Sequence, residues 1–350
     1  MIENRKNKII KKGVFTALSV VFVFLVIAGF AIYSRLLEPN TIEIEDKEVF
    51  IYIHTGATYS DVKNILQPFL KDDESFDWTA RLMKYDKIIK PGRYLIENKM
   101  SNRAIVSLLR SGKQKPVRVT FNNIRTIEQL AGRISQQIEA DSTTIVSVFR
   151  DTALQSQNGF SEESCISIII PNTYEFYWNT QAQGFYQRML REYNIFWNTL
   201  RKQKATAIGL TQEQVSIIAS IVEQETQQDS EKRMIAGVYV NRYKKNWKLE
   251  ADPTLVFALG DFSIRRVLNE YKLIDSPYNT YKYYGLPPGP ICIPGIASVE
   301  AVLNAANHQY MYFCAKDDFS GFHAFAQSYN EHLINARKFQ KALTQRGILQ

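Results

Sequence analysis

Gly209-Leu210-Thr211-Gln212-Glu213-Gln214-Val215-Ser216-Ile217-Ile218-Ala219-Ser220-Ile221-Val222-Glu223-Gln224-Glu225-Thr226 is the stretch around which the chain organises. Thr211, with Gln214 three residues on, is a capping box and sets a helix start. At 100° per residue, Val215, Ile218, Ala219 and Val222 fall within about 60° of one direction, and Ile217 and Ile221 at about 200–240°. A helix apolar on two sides is largely buried. Its polar gap holds Glu223 at about 80°, Ser216 at about 100° and Ser220 at about 140°, while Glu225 falls at about 280°. A carboxylate beside apolar surface has its charged form disfavoured, so its pKa rises. A general acid working near neutral pH needs that property. Either glutamate meets the requirement, and the pattern does not choose. Residues two apart on a helix point about 160° from each other, so these two cannot flank one scissile bond as a pair. A two-carboxylate site would draw its second group from elsewhere, about 5 Å or about 6.5–9.5 Å away.

Upstream, the pattern predicts small alternating elements. Lys47–Ile53 (KEVFIYI) reads as a strand, Tyr59–Leu66 as a helix, and Ile89–Tyr94 as a turn into the strand Tyr94–Ile96. Ser101 starts a helix that Gly112 ends, and Val117–Phe121 is a strand. From Thr126, the apolar positions Ile127, Leu130, Ile134 and Ile138 predict an amphipathic helix. Ile145–Leu154 reads as a further helix, Ile166–Ile170 as an apolar strand, and residues 182–204 as one long helix. These elements make an α+β protein.

The 350 residues leave room for an anchor and about two or three modest domains. Val14–Tyr33 is twenty residues without a charge, about 30 Å of helix and enough to cross the hydrocarbon core. Arg5, Lys6, Lys8, Lys11 and Lys12 precede it, which predicts a cytoplasmic N-terminus and residues 36–350 on the far side. The run is longer than a cleavable signal core and its exit reads Ala31-Ile32-Tyr33-Ser34-Arg35, so an uncleaved single-pass anchor is expected. The expected organisation is a basic tail (1–13), a transmembrane helix (14–34), a polar linker (35–46), a small α+β module (47–120) and a larger α+β domain (121–350).

The net charge of +8 is concentrated at the membrane end: residues 1–35 carry +5 and the other 315 carry +3. That distribution argues against nucleic acid, whose binders carry a basic stripe on the folded part. Cys165, Cys292 and Cys314 are widely spaced with no Cys-x-x-Cys, and the four histidines add no ligand spacing. No metal and no cofactor are implied.

The C-terminal motifs carry a resemblance. Ile218-Ala219-Ser220-Ile221-Val222-Glu223-Gln224-Glu225-Thr226 is followed by Val240-Asn241-Arg242, Asp252-Pro253-Thr254 and Tyr278-Asn279-Thr280-Tyr281. Gly285-Leu286-Pro287-Pro288-Gly289-Pro290-Ile291, Pro294-Gly295 and Phe322-His323-Ala324-Phe325 complete the set, with Pro171-Asn172-Thr173-Tyr174 upstream. In order and spacing this set, across roughly residues 45–345, resembles the MltG (YceG-like) family of endolytic murein transglycosylases. Gln224 stands where that family often has Lys, and Phe322 where a second Gly is common.

The resemblance implies a LysM-like module at 47–120 and a YceG-like catalytic domain at 121–350. It also implies Glu223 as the catalytic acid and base. The activity it implies is cleavage of the MurNAc-GlcNAc β-1,4 bond within glycan strands, with 1,6-anhydro ends and no water nucleophile. Partners would be peptidoglycan strands, the inner (cytoplasmic) membrane and cell-wall synthesis proteins. Asn279, Thr280 and Tyr281 are candidates to hydrogen-bond the sugars, and Tyr278 and Tyr281 to stack on them. Asn241, Arg242, Asp252 and Thr254 are candidates to orient Glu223 or line a cleft, with Arg242 also a structural ion-pair partner of Asp252 or Glu225. Glu225, Ser220, His323, Asn172 and Tyr174 complete the expected site. Two other functions fit the chain: a muramidase-type hydrolase with Asp252 activating water, and a non-catalytic wall-binding scaffold.

Overall fold

A computed structural model describes residues 2–43, 48–122, 124–264 and 266–347, with side chains from residue 12 onward. The chain divides into two units, residues 1–117 with 175–179, and residues 118–174 with 180–350.

The first unit begins with the helix Ile2–Leu37. Among the described residues it is the one single helix long and apolar enough to cross a membrane. It outruns the expected span and carries through residues 35–37 of the predicted linker. The described remainder of that linker is ordered: Asn40 and Thr41 are buried, and Asn40 Nδ2 donates to Asn102 Oδ1 at 2.7 Å. Polar residues tolerate this burial because their groups find partners inside the unit. Residues 44–46 of the linker and Lys47 of the predicted strand lie outside the described residues.

Strands Val49–Ile53 and Gly92–Ile96 then pair antiparallel, Val49 opposite Ile96 and Ile53 opposite Gly92. Between them come helices Tyr59–Leu66 and Asp73–Leu82, and after them Asn102–Ser111. Thr58, Asp72 and Ser101 cap these helices through their side chains, and Gly112 ends the last at φ 74°, a left-handed turn that glycine adopts without steric cost. Alternation buries Ile51 and Ile53 against Val62, Leu66, Phe76 and Tyr94, each worth about 1.5–3 kcal/mol when fully removed from water. The helix Asp73–Leu82 is not among the elements expected from the sequence.

In the second unit three expectations change. Ile145–Leu154 is two helices, Ser142–Phe149 and Thr152–Gln157, because Asp151 between them accepts from Ala153 N and Leu154 N and starts a new helix. Residues 182–204 break into Ala182–Phe196 and Thr199–Ala207, with Asn198 as the new cap. Ile166–Ile170 is no strand: Cys165–Ile168 is a 3₁₀ turn, buried on all sides, where an apolar run carries no period to separate turn from strand. The helix starting at Thr126 ends at Ser135, short of Ile138. Thr120 and Thr173 Oγ1 atoms meet at 2.9 Å where two short strands pair.

The helix Gln212–Glu225 lies at the centre of this unit, its box formed by Thr211 and Gln214 as expected. Val215, Ile218, Ala219, Ile221 and Val222 have no exposed surface. Helices Asp229–Lys244, Asp252–Leu259 and Ile296–Leu303 pack around it. The hairpin Tyr312–Ala315 with His323–Ala326 and the helix Tyr329–Gln345 close the unit.

Candidate active site

The two glutamates at the end of the central helix enter different surroundings, as their opposed directions require. Glu223 is held in a partly exposed polar clamp. Lys232 Nζ, 7% exposed, sits 3.1 Å from its Oε2 and 2.9 Å from Asp229. Ser298 Oγ donates to the same Oε2. Gly295 lines the third side: a Cβ there would lie 3.3 Å from that oxygen. Burial alone would lower the Lys232 pKa, but Asp229 and Glu223 outweigh it and the ammonium is held above its ordinary range. Glu223 thus faces the Lys232 ammonium and accepts two hydrogen bonds, from Lys232 and Ser298.

Glu225 faces a cavity of about 500 Å³, within the range of ligand sites. Arg125, Gln224, Asp252, Pro253, Phe262 and Arg266 share its walls. Burial pushes the Glu225 carboxyl up to about 7, the nearby Asp252 charge adds to that, and a hydrogen bond from Tyr239 together with the Arg242 charge opposes it. Tyr239 Oη donates to Glu225 Oε1 at 2.5 Å from the neighbouring helix. Arg125 forms one wall: it donates to Gln224 Oε1 at 2.6 Å and lies over the Phe262 ring at 4.4 Å. Asp252, at the start of its helix, accepts from Tyr281 Oη at 2.5 Å. The carboxylate of elevated pKa and a second, exposed carboxylate therefore line one cavity, and Glu223 is not among its lining residues.

The other expected residues divide into walls and scaffold. Ser220 is scaffold: fully buried, it donates to Ile217 O at 2.7 Å and accepts from Ile291 N at 3.0 Å, pinning the Pro/Gly loop to the central helix. In that loop Gly289 is required by close approach, since a Cβ would fall 2.1 Å from the Glu163 carbonyl oxygen. Asn279 is also fully buried. Its amide donates to Lys272 O and Ile274 O, and its oxygen accepts from Tyr281 N and Lys282 N. With all of its capacity used inside the turn, it has none for a sugar. Thr254 and Thr280 share a 2.9 Å hydrogen bond, and Thr280 accepts from Ala251 N, so both fix the start of the Asp252 helix.

Arg242 pairs with neither Asp252 nor Glu225: it donates to Met311 O and Leu249 O and lies 3.4 Å from Glu250. Its charge still reaches Glu225. Asn241 donates to His308 O and Tyr310 O. His323 is tied by its N–H and Nδ1 to the buried Glu231 at 2.8 and 2.7 Å, which fastens the terminal hairpin to the helix beneath it. Tyr174 donates to Ile170 O and stacks on Phe121 at 5.5 Å between ring centres, a core position. Asn172 is exposed and caps Thr173 N. Tyr278 packs on Phe257 at 4.7 Å and lines a smaller neighbouring cavity of about 140 Å³ that also borders Arg125.

Sequence reasoning passed over Arg125, Lys232, Tyr239, Phe262, Arg266 and Ser298. Lys232 and Tyr239 lie on the next helix, Asp229–Lys244, whose packing against the central helix no local pattern gives, and Arg125 comes from about a hundred residues upstream. The described residues hold no group of three or more His, Cys, Asp or Glu placed to bind a metal, and all three cysteines are free.

The profile of the YceG-like family matches residues 51–338. A protein of Bacillus subtilis (strain 168) named endolytic murein transglycosylase is 28% identical over 329 residues, covering 88% of this chain and 89% of the relative. One of the same name from Streptococcus pneumoniae (strain ATCC BAA-255 / R6) is 25% identical over 322 residues, 82% of this chain. There the match spans 57% of the relative's length. Among solved structures, a yceG-like protein from Listeria monocytogenes superposes with a TM-score of 0.56 at 25% identity, over 82% of this chain and 98% of that one.

Proposed function

We infer the reaction from one premise: this chain belongs to the YceG-like family. The protein is an endolytic murein transglycosylase, a carbon–oxygen lyase acting on peptidoglycan, as its relatives are named. It cleaves the β-1,4 bond between MurNAc and GlcNAc inside glycan strands and so trims or terminates them. The apolar N-terminal helix anchors it in the cytoplasmic membrane, N-terminus inside and residues beyond the helix outside. The first unit, with two helices between two antiparallel strands, is read as the LysM-like module.

The acid is Glu225 rather than Glu223. The observation that carries this assignment is the Glu225 carboxyl in the 500 Å³ cavity with its pKa pushed up to about 7. Such a group is substantially protonated at neutral pH and can give its proton. Glu223 does not line that cavity: it is engaged by Lys232 and Ser298 beside Gly295. Glu225 gives its proton to the leaving GlcNAc O4 as the bond from MurNAc C1 breaks. The resulting carboxylate takes the proton from the C6 hydroxyl of the same MurNAc, whose oxygen bonds to C1 and closes the 1,6-anhydro ring. No water enters and Glu225 ends protonated, as it began. Asp252 in the same cavity supplies negative charge opposite the oxocarbenium-like transition state.

Mass spectrometry of strands digested by the full chain tests this reading. Internal cuts with 1,6-anhydro ends are expected, abolished by Glu225→Gln and only reduced by Glu223→Gln. Activity lost in Glu223→Gln and kept in Glu225→Gln would reverse the assignment. Because Asp252 shares the cavity, a muramidase is the second reading, and reducing ends would establish it.

A further inference from the structure

The membrane helix runs into the first unit without a compliant joint. The apolar run ends at Tyr33, while the helix continues to Leu37. The Arg35 carbonyl accepts from Thr79 Oγ1 at 3.2 Å and from Asn102 Nδ2 at 2.9 Å. Just beyond, Asn40 bonds Asp72 and Asn102, Thr41 N donates to Met100 O, and Pro39 bridges Ser101. The unit is therefore fixed to the anchor at the height of Arg35.

That height follows from helix geometry. At 1.5 Å per residue, Arg35 stands about 3 Å and Leu37 about 6 Å beyond Tyr33. The headgroup layer is about 5–8 Å deep on each side, and tilt of the helix only lowers these positions. Helical side chains lean toward the N-terminus, so the Arg35 guanidinium reaches back toward the span. The Trp78 ring lies 5.6 Å from it. Leu82, one turn on along the same face of Asp73–Leu82, is 56% exposed. An indole under a guanidinium with an exposed leucine beside it, at the exit of a span, has the chemistry of the interfacial belt, where Trp settles and Arg snorkels.

We propose that the first unit rests on the bilayer, with Trp78 and Leu82 seated in the lipid headgroup layer. The partner surface is the membrane itself. The proposal rests on the reading of residues 12–37 as a membrane span. The test places the full chain in nanodiscs whose lipids are brominated near the glycerol end of the acyl chains, with unbrominated discs as reference. The chain has four tryptophans, and Trp197 is buried. Bromine is expected to quench one tryptophan's share of the emission. That component should vanish in Trp78→Phe and return when Leu82→Trp is added to the same chain. Emission insensitive to bromine, or a quenched component that survives Trp78→Phe, would overturn the seating while leaving the anchor intact. A chain that fails to enter the discs would overturn the anchor reading, and the seating with it.

Discussion

Removing the Tyr239 hydroxyl isolates the hydrogen bond that opposes protonation of Glu225. Tyr239 donates to Glu225 Oε1 at 2.5 Å, and this bond lowers the carboxyl pKa against burial. A short O–H···O⁻ bond favours the ionised form by about 1.5–3 kcal/mol. The protonated carboxyl keeps part of that interaction, so the net preference corresponds to about one pKa unit at 1.36 kcal/mol each. Tyr239→Phe then raises the Glu225 pKa above its value of about 7. In the proposed mechanism the reaction begins with protonated Glu225, so kcat/KM falls as pH rises through that pKa. The descending limb of the profile, read from 1,6-anhydro ends released at each pH, is expected to move up by about one unit in Tyr239→Phe. Its maximum is not expected to rise with it, since the same bond orients the carboxyl. A limb that stays in place or moves down would refute the role of Tyr239, and a limb that follows Glu223 substitutions instead would refute Glu225 as the acid.

Two further outcomes follow from the same site. Glu225 binds its proton more tightly folded than unfolded, its pKa raised from 4.5 to about 7. The contribution of Glu225 to stability is therefore fully present below about pH 4.5, falls as pH rises toward 7 and then levels. Glu225→Gln removes that fall, so in urea titrations its advantage over the parent chain should grow by about 1–3 kcal/mol between pH 4.5 and pH 8; an advantage independent of pH would contradict the buried carboxyl. Lys232→Met deprives Glu223 of its cation and is expected to cost about 1–3 kcal/mol, below the full figure for a buried pair because Glu223 is 29% exposed. The kcat/KM limb set by Glu225 should keep its position in that variant, and a displaced limb would tie Lys232 to the acid.

Local signals alone determined a good part of this protein. The charge-free run after five basic residues marked the long apolar helix, because such a helix needs only length and apolarity. Thr211 with Gln214 marked the start of the central helix, because a capping box is satisfied within four residues. The 100° step already set Glu223 and Glu225 on opposite sides of it. The resemblance carried by the ordered motifs named the family that the profile then matched.

What the chain's pattern left open was which glutamate meets a cavity and which meets a cation. That choice depends on Lys232 and Ser298 on one side and on Tyr239, Asp252 and Arg125 on the other, brought from separate elements by tertiary packing. The same holds for Asn279, Thr280 and Thr254: as polar residues they looked available to a ligand, and burial consumed their hydrogen bonds inside the scaffold. A side chain's type and helical angle are local properties. Its charge state and its freedom to bind are set by what the rest of the chain places within a few ångströms of it.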